Sequence, residues 1–190
     1  MLAGGLVLGV GAAVTLASWT DTEYATGNFA ASTFNTESTG STVNWVSNTA
    51  APGATLVFAA GAMSPSVSHY ATLNVRTTAA TNVAGTVVLS SATRAGTLPA
   101  VLEYRAVRTA AATTTCNAAA FTGTPAWIAG DATTWIASNT VPASPASSPI
   151  AAAGGEIRYC FDVRIQSTAA STYQGTTGTI TWLFTATSNS

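Results

Sequence analysis

The stretch EIRYCFDVRI, Glu156 to Ile165, decides the fold. Its apolar and polar residues alternate with period two, which is typical of a β-strand that buries one face. Ile157, Phe161 and their alternate neighbours fall on the face predicted to be buried, whereas Cys160 falls on the opposite face. The pattern therefore predicts a strand that packs on a core and carries a cysteine on its outer side.

Similar stretches recur along the chain between turns rich in glycine and proline. The further predicted strands are 42–47, 54–59, 66–77, 83–90, 101–108 and 179–187. Helical periodicity is almost absent, and about seven antiparallel strands at this spacing predict an all-β fold, an antiparallel jelly-roll or immunoglobulin-like β-sandwich. The pattern lapses between Ala110 and Gly155, which we interpret as an irregular excursion over one sheet face.

The composition excludes several classes of protein. The 190 residues include six basic and seven acidic ones, for a formal net charge of −1, and 47% of the chain is hydrophobic. All six basic residues are scattered arginines, so neither the basic stripe of a nucleic-acid-binding protein nor a lysine-rich membrane patch is expected. The polar surface must consist mainly of Thr, Ser and Asn. Because such a surface has little charge repulsion, we expect self-association.

The N-terminal run LAGGLVLGVGAAVTL, residues 2–16, is apolar and uncharged. It is shorter than the roughly 20 apolar residues of a spanning helix, and it fits the apolar part of a secretory signal peptide that ends at small residues. No basic residue precedes the run, so the true translation start is expected upstream or at another residue. The alternative is a buried glycine-rich strand or helix. We predict a signal peptide at 1–18, an N-terminal arm at 19–36, a sandwich domain at 37–190, and a secreted, extracellular or cell-surface protein.

The two cysteines, Cys116 and Cys160, support export. An even count in an exported chain predicts a disulfide, which would hold the excursion on the outer face of the 156–165 strand. Zinc usually takes four ligands, and neither cysteine has a neighbouring histidine, so a metal site is the weaker interpretation.

The sequence contains no clear catalytic group. His69 is the only histidine, and its inward phase in the 66–77 strand favours a core or interface residue over the base of a Ser-His-Asp triad. A single histidine also excludes the HExxH zinc motif. Asp21 and Glu23 are close together, but their segment lacks the dense oxygen ligands of a calcium site. We therefore expect no enzyme activity, no cofactor and no metal.

The tryptophans divide into two groups. Trp45 and Trp182 lie in predicted strands and are expected in the core, whereas Trp127 and Trp135 lie in the excursion. If exposed, Trp127 and Trp135 would suit stacking on sugar rings. Burial beneath the excursion is the alternative that we favour, because aromatic side chains usually bury their large surface.

The segment after the leader, WTDTEYATGNFAASTFNTE at residues 19–37, contains an aromatic-x-Asp start followed by G-x-F-x-A-x-x-F. With its leader, it resembles the TasA and camelysin group of secreted proteins with SipW-dependent-type signal peptides. The stretches at 73–87, 102–109, 158–163 and 171–175 are similar to actinobacterial members.

The resemblance implies a jelly-roll-like subunit of extracellular fibres, in a biofilm matrix or at the cell surface. A signal peptidase would free the N-terminal arm, which then inserts as a donor strand into the next copy. By position, the apolar anchors of this arm would be Trp19, Tyr24, Phe29 and Phe34. Some members carry a metalloendopeptidase label, but this sequence departs from any recognisable zinc motif.

Three functions follow in order of preference. The first is a fibre subunit whose partners are copies of itself, since a sandwich lacking one strand exposes an edge and a groove that a neighbour's arm can fill. The alternative is an extracellular glycan-binding or adhesive module with a cell-envelope or matrix glycan as its partner. A camelysin-type metalloprotease is the third. Nucleic acid is not an expected partner.

Overall fold

The computed structural model describes residues 26–28, 30–40, 44–58, 62–110 and 115–189. The chain divides into two compact units, residues 1–31 and 32–190. The few described residues of the first unit belong to no strand and are exposed. The predicted signal peptide and three of the four predicted arm anchors, Trp19, Tyr24 and Phe29, lie outside the described residues. No helix within the described ranges is long and apolar enough to cross a membrane.

The second unit is all-β, as the sequence predicted. Its nine described strands are β1 (Thr36–Thr39), β2 (His69–Thr77), β3 (Gly85–Gly96), β4 (Leu102–Thr109), β5 (Ala126–Ala129), β6 (Ile136–Ala137), β7 (Ser148–Ile150), β8 (Glu156–Ile165) and β9 (Gly178–Ser188). Three single-turn 3-10 helices, Leu98–Val101, Ala118–Phe121 and Ser171–Tyr173, connect some of them.

The strands form two antiparallel sheets that pack as a sandwich. The larger sheet has the order β1-β2-β8-β4-β5, with β6 also pairing with β4, and the smaller has the order β7-β3-β9. The core lies between the sheets, where Phe161 of β8 packs against Trp182 of β9 with ring centroids 4.6 Å apart. Tyr159 and Phe184 meet in the same way at 4.7 Å. β8, which carries the alternation in 156–165, is the central strand of the larger sheet.

Two short strand predictions are wrong over their described residues. In 42–47, only Val46 forms a bridge, to Ser38. Residues 54–58 belong to neither sheet. Their alternating pattern instead reflects apolar side chains that pack onto the core from outside the sheets. Trp45 likewise lies half-buried beneath the guanidinium of Arg76, 4.2 Å from the ring centroid, rather than within the core.

β3 is longer than predicted because of a β-bulge. The pairing with β9 shifts between Leu89 and Ser91. As a result, the next inward-facing side chain after Leu89 is that of Ala92 and not that of Ser91. A bulge inserts one extra residue and thereby interrupts strict alternation, so the sequence pattern ended at Ser90. The bulge residue, Ser90, still contacts β9, because its hydroxyl oxygen lies 2.7 Å from that of Thr185.

Candidate functional site

The two edges of the smaller sheet differ in length and chemistry. β7 has three residues, and Pro149 at its centre has no backbone N–H to donate. β9 has eleven residues, GTITWLFTATS, with neither proline nor charge, and it pairs with β3 along its whole length. Within the described ranges, no other strand pairs with β9. Among the described residues, the outer edge of β9 therefore has no partner strand, and such an edge can bind another strand.

An open apolar groove runs beside this edge. Its volume is about 1160 Å³, and it extends along β9 and across to β1 and β2. Apolar side chains dominate its lining, including Leu73, Val163, Ile165, Ile180, Trp182 and Phe184. Pockets for small molecules usually occupy about 300–1,000 Å³, so this groove has the size and shape for an extended peptide.

One wall of the groove is the segment 54–58, which we call the strap. Ala54, Leu56 and Phe58 pack against the core, whereas Thr55 and Val57 point to solvent. The ring of Phe58 lies 6.3 Å from that of Trp182. The strap thus places apolar side chains against β9 while remaining outside both sheets.

The last predicted arm anchor, Phe34, is part of the body. Its half-buried ring packs against the core, and a side chain at Gly85 would collide with it. On either side of Phe34, the Thr33 amide donates to Asn82 Oδ1 at 2.8 Å and the Asn35 amide donates to Thr81 Oγ1 at 3.1 Å. An exchangeable arm would therefore end before Thr33.

Only part of the predicted excursion, around Cys116 and Phe121, packs on the outer face of the larger sheet. The rest is not irregular, because β5 and β6 pair with β4 and β7 joins the smaller sheet. The predicted Cys116–Cys160 disulfide is present, with Cys160 buried on the outer side of β8. Arg105 extends the attachment, because its side chain donates to the carbonyl of Ala132 at 3.1 Å. The excursion is thus fixed to the sheet by a covalent bond and by a charged hydrogen bond.

Two ion pairs lie on this covered face. Arg105 bonds the fully buried Asp162 at 3.0 Å, and Arg164 bonds Glu103 at 2.6 Å. Burial raises the pKa of Asp162 above its usual value, while the Ser68 hydroxyl and the Arg105 guanidinium oppose that rise. The carboxylate depends on Arg105 because removing a charge from water is costly unless it is paired.

The two tryptophans proposed for sugar stacking, Trp127 and Trp135, lie half-buried on the same face. The Arg164 guanidinium lies 3.7 Å from the ring centroid of Trp135, and that of Arg105 lies 4.5 Å from it. Trp127 packs on Phe121 with ring centroids 5.9 Å apart. The arginines compete with a sugar for the ring of Trp135, and the packing of Trp127 serves to attach the excursion.

His69 begins β2 in the inward phase, opposite Val163, and is half-buried. Among the described residues, no group of three or more His, Cys, Asp or Glu side chains could hold a metal ion. Asp131 lies in an exposed loop, where hydrogen bonds from Thr133 and Thr134 lower its pKa to about 2. These bonds stabilise the loop's own turn.

Comparison with known protein families, curated proteins and solved structures found no match. Function must therefore be inferred from the groove, the free edge and the sequence. The sequence analysis did not identify β9 as a free edge or the strap as a groove wall. The absence of proline and charge in 178–188 was a usable signal, but strand order depends on long-range pairing.

Proposed function

We propose that this protein is a secreted structural subunit that assembles into extracellular fibres, in a biofilm matrix or at a cell surface, by donor-strand exchange. The free edge of β9 beside the apolar groove carries the proposal. An extended arm from a second copy would bond to that edge and place alternate side chains in the groove. Because donor and acceptor are different surfaces, repetition of the contact produces an open filament.

The energetics require apolar anchors as well as backbone bonds. Ordering the arm costs roughly 1–2 kcal/mol per residue, whereas a hydrogen bond contributes a net of about 0.5–1.5 kcal/mol. A strand makes on average about one hydrogen bond per residue to one neighbour, so the ladder alone does not offset the ordering cost. Burial of Trp19 and Phe29, which share one face of an extended strand, in the groove would supply the difference, because each aromatic ring buries about 150–250 Å².

Two further observations agree with this proposal. The Cys116–Cys160 disulfide is typical of proteins that leave the reducing cytosol. In addition, the outward-facing residues of β3 and β9 are uncharged, with threonine the commonest, so copies can approach without charge repulsion.

The decisive experiment is negative-stain electron microscopy of the exported protein and of a variant lacking residues 19–31. We expect filaments from the exported protein and a folded, non-assembling variant. The matched control replaces residues 19–31 with a Gly/Ser segment of equal length, which keeps the chain length but removes the anchors. Filaments of unchanged appearance from the truncated chain would show that another surface mediates assembly.

The structure gives less support to the two other functions. A glycan-binding or adhesive module would use Trp127 and Trp135, but arginine packing covers part of this aromatic surface. A metalloprotease would need a ligand cluster, and the described residues contain none. The groove is open and lies beside β9, so we favour the fibre subunit.

A further inference from the structure

The strap has the alternating side-chain exposure of a strand but lies outside both sheets. Its side chains alternate, with Leu56 and Phe58 turned to the core and Val57 59% exposed. Phe58 contacts Trp182 at the centre of the β9 edge. The strap therefore covers part of the apolar surface that a donor strand in the groove would bind.

The strap and the arm share a sequence pattern. Residues 54–58 read ATLVF, and residues 25–29 of the arm read ATGNF. The two segments agree at their first, second and fifth positions. In the strap, the first, third and fifth side chains turn inward. If the arm binds in the same phase, Phe29 corresponds to Phe58, and Gly27 corresponds to Leu56.

We propose that the strap is a built-in placeholder for the donor strand, and that residues 25–29 of a second copy displace it during assembly. Phe29 of the partner subunit then replaces Phe58 against Trp182. This inference rests on the proposed function, and it adds the register of the donor strand and the contact that blocks the groove before assembly.

The placeholder fills its site incompletely. About 1160 Å³ of the groove remains open although the strap lines it, and β9 keeps a free edge. A longer arm that pairs with β9 gains both the ladder and the unfilled volume. Displacement is therefore favourable, while the strap shields part of the apolar surface in the free subunit.

Gly40 offers a way to move the strap without changing a core side chain. A Cβ atom at Gly40 would collide with the carbonyl of Thr55. Because backbone atoms must shift to relieve such a collision, Gly40→Ala should weaken the strap's seating while leaving Leu56, Phe58 and β9 intact.

The test measures the initial rate of filament assembly of the full chain by light scattering, with electron microscopy of the product. Two acceptor variants, Gly40→Ala and the double variant Leu56→Ala/Phe58→Ala, should assemble severalfold faster than the wild type. Val57→Ala is the control, because its side chain is exposed on the same segment. Its rate should stay close to that of the wild type.

A donor variant tests the register independently. Gly27→Leu gives the arm the strap's inward leucine and should accelerate assembly, whereas Asn28→Leu adds the same side chain in the outward phase and should not. These variants leave the acceptor unchanged, so they remain informative if the double strap variant fails to fold.

The outcomes separate this inference from the proposed function. The placeholder is overturned if Gly40→Ala leaves the rate of filament assembly unchanged or lowers it, and if Gly27→Leu and Asn28→Leu assemble at equal rates. Donor-strand exchange would still stand after that result. Failure of the wild-type chain to form filaments would overturn the proposed function itself.

Discussion

The outer face of the larger sheet and the side of the sandwich beside β9 are covered in different ways. On the larger sheet, the excursion is attached by a disulfide and lies over the Arg105–Asp162 and Arg164–Glu103 ion pairs. Beside β9, apolar side chains of the strap pack against the core while the sheet edge stays open. Covalent and ionic links need partners at fixed positions, whereas apolar packing accepts any segment of suitable shape. The contrast identifies the β9 side as the one suited to exchange.

The largest expected effect comes from placing a charge in the groove. Ile180→Lys should abolish filament formation, because an ammonium group in the groove could not be buried beneath a donor strand without a partner. The control is Thr187→Lys, whose side chain is exposed on the outer face of the same strand and is not among those that line the groove.

Electron microscopy and circular dichroism of both lysine variants would test this difference between the two faces of β9. Filaments from a folded Ile180→Lys protein would show that the groove is not the acceptor.

Removing the disulfide should destabilise the side of the sandwich that the excursion covers. The side beside β9 should still bind a donor strand. For Cys116→Ser/Cys160→Ala, we expect the free energy of unfolding to fall by about 4 kcal/mol, since the bridge constrains a long loop in the unfolded chain. Urea unfolding followed by tryptophan fluorescence gives this value. A loss below about 1 kcal/mol would mean that the other contacts of the excursion hold it without the bridge.

Breaking the buried ion pair should give a smaller, pH-dependent loss. Arg105→Met leaves the Asp162 carboxylate buried without its cation, which should cost about 3 kcal/mol at neutral pH. The folded-state pKa of Asp162 is already raised by burial and should rise further without Arg105.

The sign follows from proton binding. Between the unfolded and folded pKa values the native state holds more protons, so stability falls as pH rises through this window and recovers as pH falls toward the unfolded value. Unfolding curves of Arg105→Met at pH 7 and pH 5 should therefore show a smaller deficit, relative to wild type, at pH 5. An equal deficit at both values would contradict the prediction.

The smallest expected effect concerns the core between the two sides. Burial raises the pKa of Tyr159 to about 12 and raises that of Tyr104 as well. Both groups keep their protons in the folded state after exposed tyrosines have ionised, so their contribution to stability falls as pH rises above about 10. Absorbance titration at 295 nm should show two late-ionising tyrosines, and Tyr159→Phe should remove one of them. Ionisation of all tyrosines near pH 10 in the folded protein would contradict this.

Local alternation determined much of the fold. The pattern in 156–165 predicted β8, its buried face and the outward Cys160, and the even cysteine count predicted the bridge to Cys116. Both inferences depend only on neighbouring residues or on simple chemistry. Strand prediction was poorer at Ser90, where a bulge changes the phase of the side-chain alternation, and in residues 54–58, which alternate without pairing to a strand.

The sequence by itself determined the all-β class, the disulfide and the low charge that favours self-association. Only the tertiary structure decided that β9 is an edge strand, that a groove opens beside it, and that Phe34 belongs to the body while Leu56 and Phe58 line the groove. The physical reason is that side-chain alternation records which face of a strand is buried but not which neighbours pair with it. Pairing joins residues distant in sequence, such as Gly85 with Ser188, and a free edge exists only once all other pairs have formed.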